Sequence, residues 1–171
     1  MAVEEILIVD GYNIIGAAEE GLPFARDRLE DARDWLIDKL ADYQGYTGTK
    51  VYVVFDAHLV PGVGKVYKER KIEVIYTREK ETADECIEKL VRRLKRVQRQ
   101  IYVATSDYTE QRVIFAEGAL RKSARELLME LNNVEVKIRQ DVQEKYQQKP
   151  KSKFPLTKEM AEIFEKWRRE S

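Results

Sequence analysis

Acidic side chains follow three β-rich segments of this 171-residue sequence, and others open a helix. Asp10, Asp56 and Asp107 each end a run of apolar residues, and the stretch ETADE places Asp84 beside Glu85. Carboxylates held close together repel each other by roughly one to several kcal/mol per pair. A divalent cation relieves this repulsion, and oxygen ligands of this kind suit Mg²⁺ or Mn²⁺. The pattern therefore predicts a metal site, provided that the fold brings the segment ends together.

The segments that must position these acids alternate between strand and helix patterns. Runs rich in Val, Ile and Tyr predict four strands, at 6–11, 50–57, 71–77 and 100–107. Their centres are apolar without alternation, as expected of parallel strands covered on both faces. An amphipathic helix ending near Gly45 separates the first two strands, and a second helix, which opens with a capping box, separates the last two. We therefore expect a three-layer α/β/α domain with a mainly parallel central sheet.

The C-terminal part of the sequence is predicted to be mostly helical. Two helices are predicted, at 110–115 and 118–131, on either side of Gly118. Beyond Asn133 the apolar residues suit either a short strand or a helix, and we favour the helix. A basic, proline-bearing loop follows, after which Thr157 caps a final helix. The fold class thus includes a helical C-terminal extension.

Length and composition favour one folded domain. With 43% hydrophobic residues, the chain is long enough for one substantial core but not for two. We expect the main domain at 1–146, with the basic loop and C-terminal helix at 147–171 packed on the same domain. A single cysteine excludes an internal disulfide, and a single histidine argues against a zinc site. No secretory signal or membrane span is predicted, so we expect a cytoplasmic protein with no membrane partner.

Charge is segregated along the sequence, although the net charge is zero. The first 30 residues are mainly acidic, whereas 89–100 holds Lys and Arg residues without an acid, and the chain after Arg121 has a basic excess. Such separation suits a protein that binds cations at one place and phosphates at another. The basic stretches have an alternative interpretation as solvated helix faces.

Several motifs, taken together, resemble a known family. VDGYN, VFDA and TSD at three strand ends, with ETADE before a helix, resemble the NYN branch of the PIN-like nucleases. The motifs YQGYTG, GALRKSARELL and FEKWRR extend the resemblance over nearly the whole chain, to the bacterial YacP-type NYN proteins. Each motif alone is weak, but the ordered set is highly specific.

The resemblance implies a PIN-like (NYN) fold and a catalytic centre. It implies a metal-dependent endoribonuclease that cleaves messenger RNA in association with translating ribosomes. One or two Mg²⁺ or Mn²⁺ ions, held by Asp10, Asp84 and Asp107 with Asp56 nearby, would activate water and neutralise charge on the phosphate. Asn13, which matches the family signature, would orient a phosphate or a metal-bound water.

Aromatic and basic side chains, chosen by residue type and charge pattern, are the candidates for binding the RNA and the ribosome that the resemblance implies. Tyr12 would stack an RNA base, or else belong to the core. Messenger RNA and ribosomal RNA would be the partners of the remaining candidate binding residues, Arg93, Arg121, Lys122, Arg125, Lys149 and Lys151.

Other classes of protein fit the sequence less well. A phosphoacceptor receiver domain needs an aspartate at the end of its third strand, where Thr77 stands. A haloacid-type phosphatase needs a D-x-D motif, whereas Asp10 is followed by Gly11 and Tyr12. No glycine-rich phosphate loop is present, so we expect no small-molecule cofactor. The serious alternative is a non-catalytic RNA- or ribosome-binding adaptor that keeps the PIN-like fold.

Overall fold

The computed structural model describes residues 3–18, 28–57, 66–69, 71–106, 117–147 and 158–170. The strands and helices of these residues are β1 (Glu4–Asp10), α1 (Gly11–Ala17), α2 (Leu29–Thr47), β2 (Lys50–Phe55), β3 (Val66–Glu69), β4 (Ile72–Tyr76), α3 (Ala83–Leu94), β5 (Arg99–Ala104), β6 (Leu120–Lys122), α4 (Ala124–Gln147) and α5 (Lys158–Glu170).

The strands form a single six-stranded sheet in the order β3-β4-β2-β1-β5-β6. All neighbouring strands are parallel except β3, which pairs antiparallel with β4 at one edge. The central strand β1 lies between β2 and β5, so its carboxyl end is flanked by the carboxyl ends of both neighbours. The mainly parallel sheet expected from the sequence is confirmed.

Helices cover both faces of the sheet. Leu7 and Val9 of β1 pack on one face, in a core with α1, α2 and the first part of α4. Ile6 and Ile8 point to the opposite face and pack in a second core against α3. Because successive strand residues alternate between faces, a strand buried on both sides must be apolar throughout. This requirement explains the uninterrupted apolar runs and confirms the three-layer α/β/α architecture.

The ends of α2 and α3 follow from local chemistry. Thr82 caps α3, and its hydroxyl oxygen accepts a hydrogen bond from the Glu85 backbone N–H at 3.2 Å, as the capping box predicts. The expected stop of α2 at Gly45 is wrong, because the helix continues to Thr47. It ends at Gly48, whose φ of 77° lies in the left-handed region that glycine adopts without strain.

The structure corrects the assignment of residues 118–131 as a continuous helix. Leu120–Lys122 form β6, which pairs parallel with β5, and α4 begins only at Ala124. The Ser123 hydroxyl accepts a hydrogen bond from the Glu126 backbone N–H at 3.1 Å, which is an N-cap contact. The helix predicted at 110–115 lies outside the described residues. Helix α4 runs through Asn133 to Gln147, which confirms the helical assignment there.

The chain divides into two compact units, Met1–Ile138 and Arg139–Ser171. The first unit contains the sheet and both cores. The second contains the end of α4 and the final helix α5, which was predicted. The packing of the C-terminal segment on the main domain stays a prediction. Among the residues that the structure describes, none of the helices has the length and apolar character needed to cross a bilayer.

Candidate functional site

Two predicted acids lie at the ends of adjacent parallel strands. Asp10 is the last residue of β1 and pairs in register with Val54 of β2, so Asp56 follows two residues further along the neighbouring strand. Both carboxylates are partly buried. Asp84 is exposed in the first turn of α3, the helix that follows the carboxyl end of β4. The three acids therefore belong to the carboxyl edge of the sheet, where open α/β folds bind ligands.

A complete metal-ligand set does not form within the described residues. No group of three Asp, Glu, His or Cys side chains that could hold an ion occurs there. Asp10 and Asp56 supply oxygen donors of the kind that Mg²⁺ and Mn²⁺ prefer. Asp107, the ligand expected after β5, lies outside the described residues. The donor chemistry thus fits a hard divalent cation, and the metal site with Asp107 and Asp84 stays a prediction.

Asn13 links α1 to the end of β5. Its Oδ1 atom accepts hydrogen bonds from the Ser106 backbone N–H at 2.7 Å and from the Ser106 hydroxyl at 2.8 Å. Ser106 directly precedes Asp107 in the sequence. The Asn13 side chain therefore holds the backbone at the point where the chain reaches Asp107. The motif VDGYN predicted that Asn13 lies near the carboxyl edge of the sheet, but it did not predict the hydrogen bonds to Ser106.

We expect Asn13→Ala to lower the free energy of unfolding by about 1–3 kcal/mol, because the Ser106 N–H and hydroxyl lose their acceptor. Asn13→Asp keeps an acceptor oxygen and should unfold closer to the parent. Ser106→Ala removes only one of the two bonds and should cost less than Asn13→Ala. Thermal unfolding of the three variants measures this order. Equal unfolding temperatures for Asn13→Ala and the parent would contradict the linking role.

Thr77 is a site residue that sequence reasoning missed. It is fully buried at the carboxyl end of β4, and its hydroxyl oxygen accepts a hydrogen bond from the Ala57 N–H at 2.8 Å. The Thr77 N–H donates in turn to the Phe55 carbonyl at 3.0 Å. These two bonds hold the backbone on both sides of Asp56. Thr77, which stands where a receiver domain has an aspartate, thus has a structural role in this protein.

An aromatic cluster packs beneath the start of α1. The Phe55 ring centroid lies 5.1 Å from that of Tyr12 and 5.8 Å from that of Tyr76. Phe55 is fully buried, and its ring lies directly against Gly11. A Cβ atom at Gly11 would approach Phe55 Cδ1 to 2.5 Å, which is far inside van der Waals contact. Only glycine therefore fits between Asp10 and Tyr12 with this packing.

Tyr12 is partly buried and has a hydrogen-bond partner. Arg33 Nη1 donates to the Tyr12 hydroxyl oxygen at 2.9 Å. Burial raises the pKa of Tyr12 above its usual value, the Arg33 guanidinium opposes this rise, and the Asp56 carboxylate adds to it. The ring thus contributes to the core packing, one of the two roles considered from the sequence. Stacking of an RNA base on Tyr12 stays a prediction.

The basic residues predicted to bind RNA or the ribosome differ in their surroundings. Lys122 Nζ contacts Glu130 Oε2 at 2.7 Å and lies 5.0 Å from the centroid of the Tyr102 ring. Burial alone would lower the pKa of Lys122, but the Glu130 carboxylate holds it above its usual value. Arg121 is partly buried on the same strand, whereas Arg125 is exposed in the first turn of α4. Their RNA or ribosome contacts stay predictions, with Arg125 the most accessible of the three.

The remaining binding candidates lie elsewhere. Arg93 is exposed in the last turn of α3, where it lines a cleft together with Ile75 and Tyr76 of β4. Lys149 and Lys151 are outside the described residues. Arg93 on α3 and Arg125 on α4 therefore lie on opposite faces of the sheet, because α3 covers one face and the start of α4 covers the other.

Comparison with known proteins identifies close relatives. The model of the YacP-like NYN domain matches residues 7–169. A Bacillus subtilis (strain 168) protein named "Uncharacterized protein YacP" is 53% identical over 165 residues, which cover 96% of this chain and 97% of that protein. The crystal structure of Rae1 (YacP) from Bacillus subtilis is similar with a TM-score of 0.75 and 54% identity, over 96% of this chain and 94% of that one. The crystal structure of a single-residue mutant of the same Bacillus subtilis protein gives a TM-score of 0.75 and 50% identity, over 85% and 86% of the two chains.

Proposed function

This chain belongs to the YacP-like NYN family, and from that membership we propose that it is a divalent-metal-dependent endoribonuclease. The proposed substrate is messenger RNA, cleaved in association with translating ribosomes. The fold is of the nuclease type found in this family. The observation that carries the proposal is the placement of Asp10 and Asp56 at the carboxyl ends of adjacent central strands, with Asp84 at the same edge.

Each residue of the candidate site has a proposed task. Asp10, Asp84 and Asp107, with Asp56 nearby, would hold the ion. A bound Mg²⁺ or Mn²⁺ would supply a nucleophilic water at neutral pH and neutralise charge on the phosphate. Asn13 holds the Ser106 backbone and thereby the approach to Asp107. Thr77 holds the backbone on both sides of Asp56. The chain's own contribution is thus to keep oxygen donors in place while the phosphate is bound.

A second candidate function is that of an RNA- or ribosome-binding adaptor without catalysis. The observation that favours it is the exposure of basic side chains in the last turn of α3 and the first turn of α4. The exposed basic residues Arg93 and Arg125 would serve an adaptor as well as a nuclease.

Cleavage assays separate the two functions. We expect the purified protein to cut single-stranded RNA with Mn²⁺ or Mg²⁺ and to lose all cleavage when a chelator removes the ion. Mapping of cleavage ends on translated and untranslated copies of one message would then test the ribosome requirement. RNA binding without cleavage under every condition, ribosomes included, would favour the adaptor and contradict the nuclease.

A further inference from the structure

A cleft lies between α3 and the loop that follows β4. Its volume is about 260 Å³, and Ile75, Cys86 and Leu90 are among its apolar lining residues. The polar side chains in its lining are Arg78, Glu81, Lys89 and Arg93. Because β4 is parallel to β1 and β2, its lining residues Ile75 and Tyr76 lie at the same end of the sheet as Asp10 and Asp56, and the cleft extends from there along α3.

One cation in the cleft is already neutralised. Lys89 Nζ contacts Glu81 Oε2 at 2.9 Å, and the Glu81 carboxylate also accepts a hydrogen bond from the Arg78 backbone N–H at 3.4 Å. Burial alone would raise the pKa of Glu81, but these hydrogen bonds hold it below its usual value. Glu81 therefore stays ionised and balances the charge of Lys89.

Two arginine side chains also line the cleft. Neither Arg78 nor Arg93 forms an ion pair with any residue in the described ranges, and both are exposed. Their neighbour Arg92, which does not line the cleft, is by contrast paired with Glu88 and with Glu117. The cleft thus carries an excess of two positive charges.

The floor of the cleft is apolar. Ile75 and Leu90 are buried, and the Cys86 side chain is half-buried. An anion in the cleft would therefore meet two guanidinium groups that form no ion pair within the described part of the chain, above an apolar floor. Guanidinium groups match phosphate geometry closely and form charge-assisted hydrogen bonds with it.

We propose that this cleft binds one phosphodiester group of single-stranded RNA beside the candidate cleavage site, through Arg78 and Arg93. The assignment rests on the proposed function, since it places an RNA strand along the carboxyl edge of the sheet. The volume lies just below the range of roughly 300–1,000 Å³ typical of small-molecule pockets, which suits a single nucleotide unit. The candidate ligand Asp84 lies in the first turn of α3, the same helix that supplies Arg93 to the cleft.

Binding measured without cleavage tests the cleft. A labelled single-stranded RNA is titrated in the presence of a chelator, at several salt concentrations, with the parent and with the double variant Arg78→Gln/Arg93→Gln. We expect the double variant to bind the RNA roughly tenfold or more weakly than the parent does. The slope of log affinity against log salt should fall by about 0.7, because the loss of one phosphate contact removes about that much for single strands.

The matched control removes the same charge from two cations that directly follow α3. Lys95→Gln/Arg96→Gln alters two exposed cations just beyond α3 that do not line the cleft. This variant should keep the affinity of the parent and nearly all of its salt slope. Equal unfolding temperatures of both variants and the parent would confirm that folding is unaffected.

Several outcomes would overturn the assignment. Equal losses in the two double variants would show a non-specific charge effect, and unchanged binding in the cleft variant would show that RNA does not use the cleft. Either result would leave the proposed nuclease intact if the parent still cuts RNA. If a free nucleoside monophosphate displaced RNA as readily as an oligonucleotide does, the cleft would be a nucleotide site instead. Failure of the parent to bind or cut RNA under every condition, with ribosomes included, would overturn both proposals.

Discussion

Asp10→Asn should reduce RNA cleavage by about 100-fold or more, since it removes a proposed metal ligand from the centre of the site. The variant should still fold, because Asp10 lies at the end of a strand rather than within either core. Removal of one of several mutually repelling carboxylates can even stabilise the metal-free protein. Cleavage rates at saturating Mn²⁺, together with thermal unfolding with and without the ion, measure both effects.

Variants of other acidic residues provide the comparison for the Asp10→Asn cleavage rate. Asp84→Asn should lose cleavage to the same degree, whereas Asp56→Asn should retain more, because Asp56 is proposed only to lie near the ion. Asp42→Asn is the matched control, since Asp42 is exposed towards the end of α2, which leads to the opposite edge of the sheet. Cleavage at the parent rate by both Asp10→Asn and Asp84→Asn would show that the site is assigned wrongly.

Gly11→Ala should destabilise the protein by about 1–3 kcal/mol or more, the usual cost of overpacking a core. The new methyl group would overlap the Phe55 ring, and Phe55 cannot move freely because Tyr12 and Tyr76 pack on it. Any shift of α1 would also displace Asn13 from Ser106. We therefore expect the unfolding temperature and cleavage to fall together. For a chain of this length, each kcal/mol lowers the unfolding temperature by about 2–4 °C.

Two further variants isolate the contact with Phe55. Gly16→Ala lies in the same helix with nothing within 4 Å of the new Cβ, so it should be neutral or stabilising by up to about 1 kcal/mol. Phe55→Leu shortens the ring, so Gly11→Ala should cost less in that background than in the parent. Equal costs of Gly11→Ala in both backgrounds would contradict the packing argument.

Much of the fold could be predicted from the sequence alone. A strand covered on both faces must be largely apolar, so β1, β2, β4 and β5 are visible as runs rich in Val, Ile and Tyr. The capping box of Thr82 and Glu85 marks the start of α3 by purely local hydrogen bonding. Parallel topology then predicts that Asp10 and Asp56 share one edge. Each of these signals lies within a few neighbouring residues.

Tertiary contacts decided the rest. Leu120–Lys122 have a helix-compatible pattern, but pairing with the edge of β5 makes them a strand. The sequence presents Lys122 as a free cation, yet it is held by Glu130 and Tyr102. The bond from Ser106 to Asn13 joins residues 93 positions apart, and the Phe55 ring restricts Gly11 from a neighbouring strand. Such contacts exist only once the sheet has formed, so no local pattern of residues encodes them.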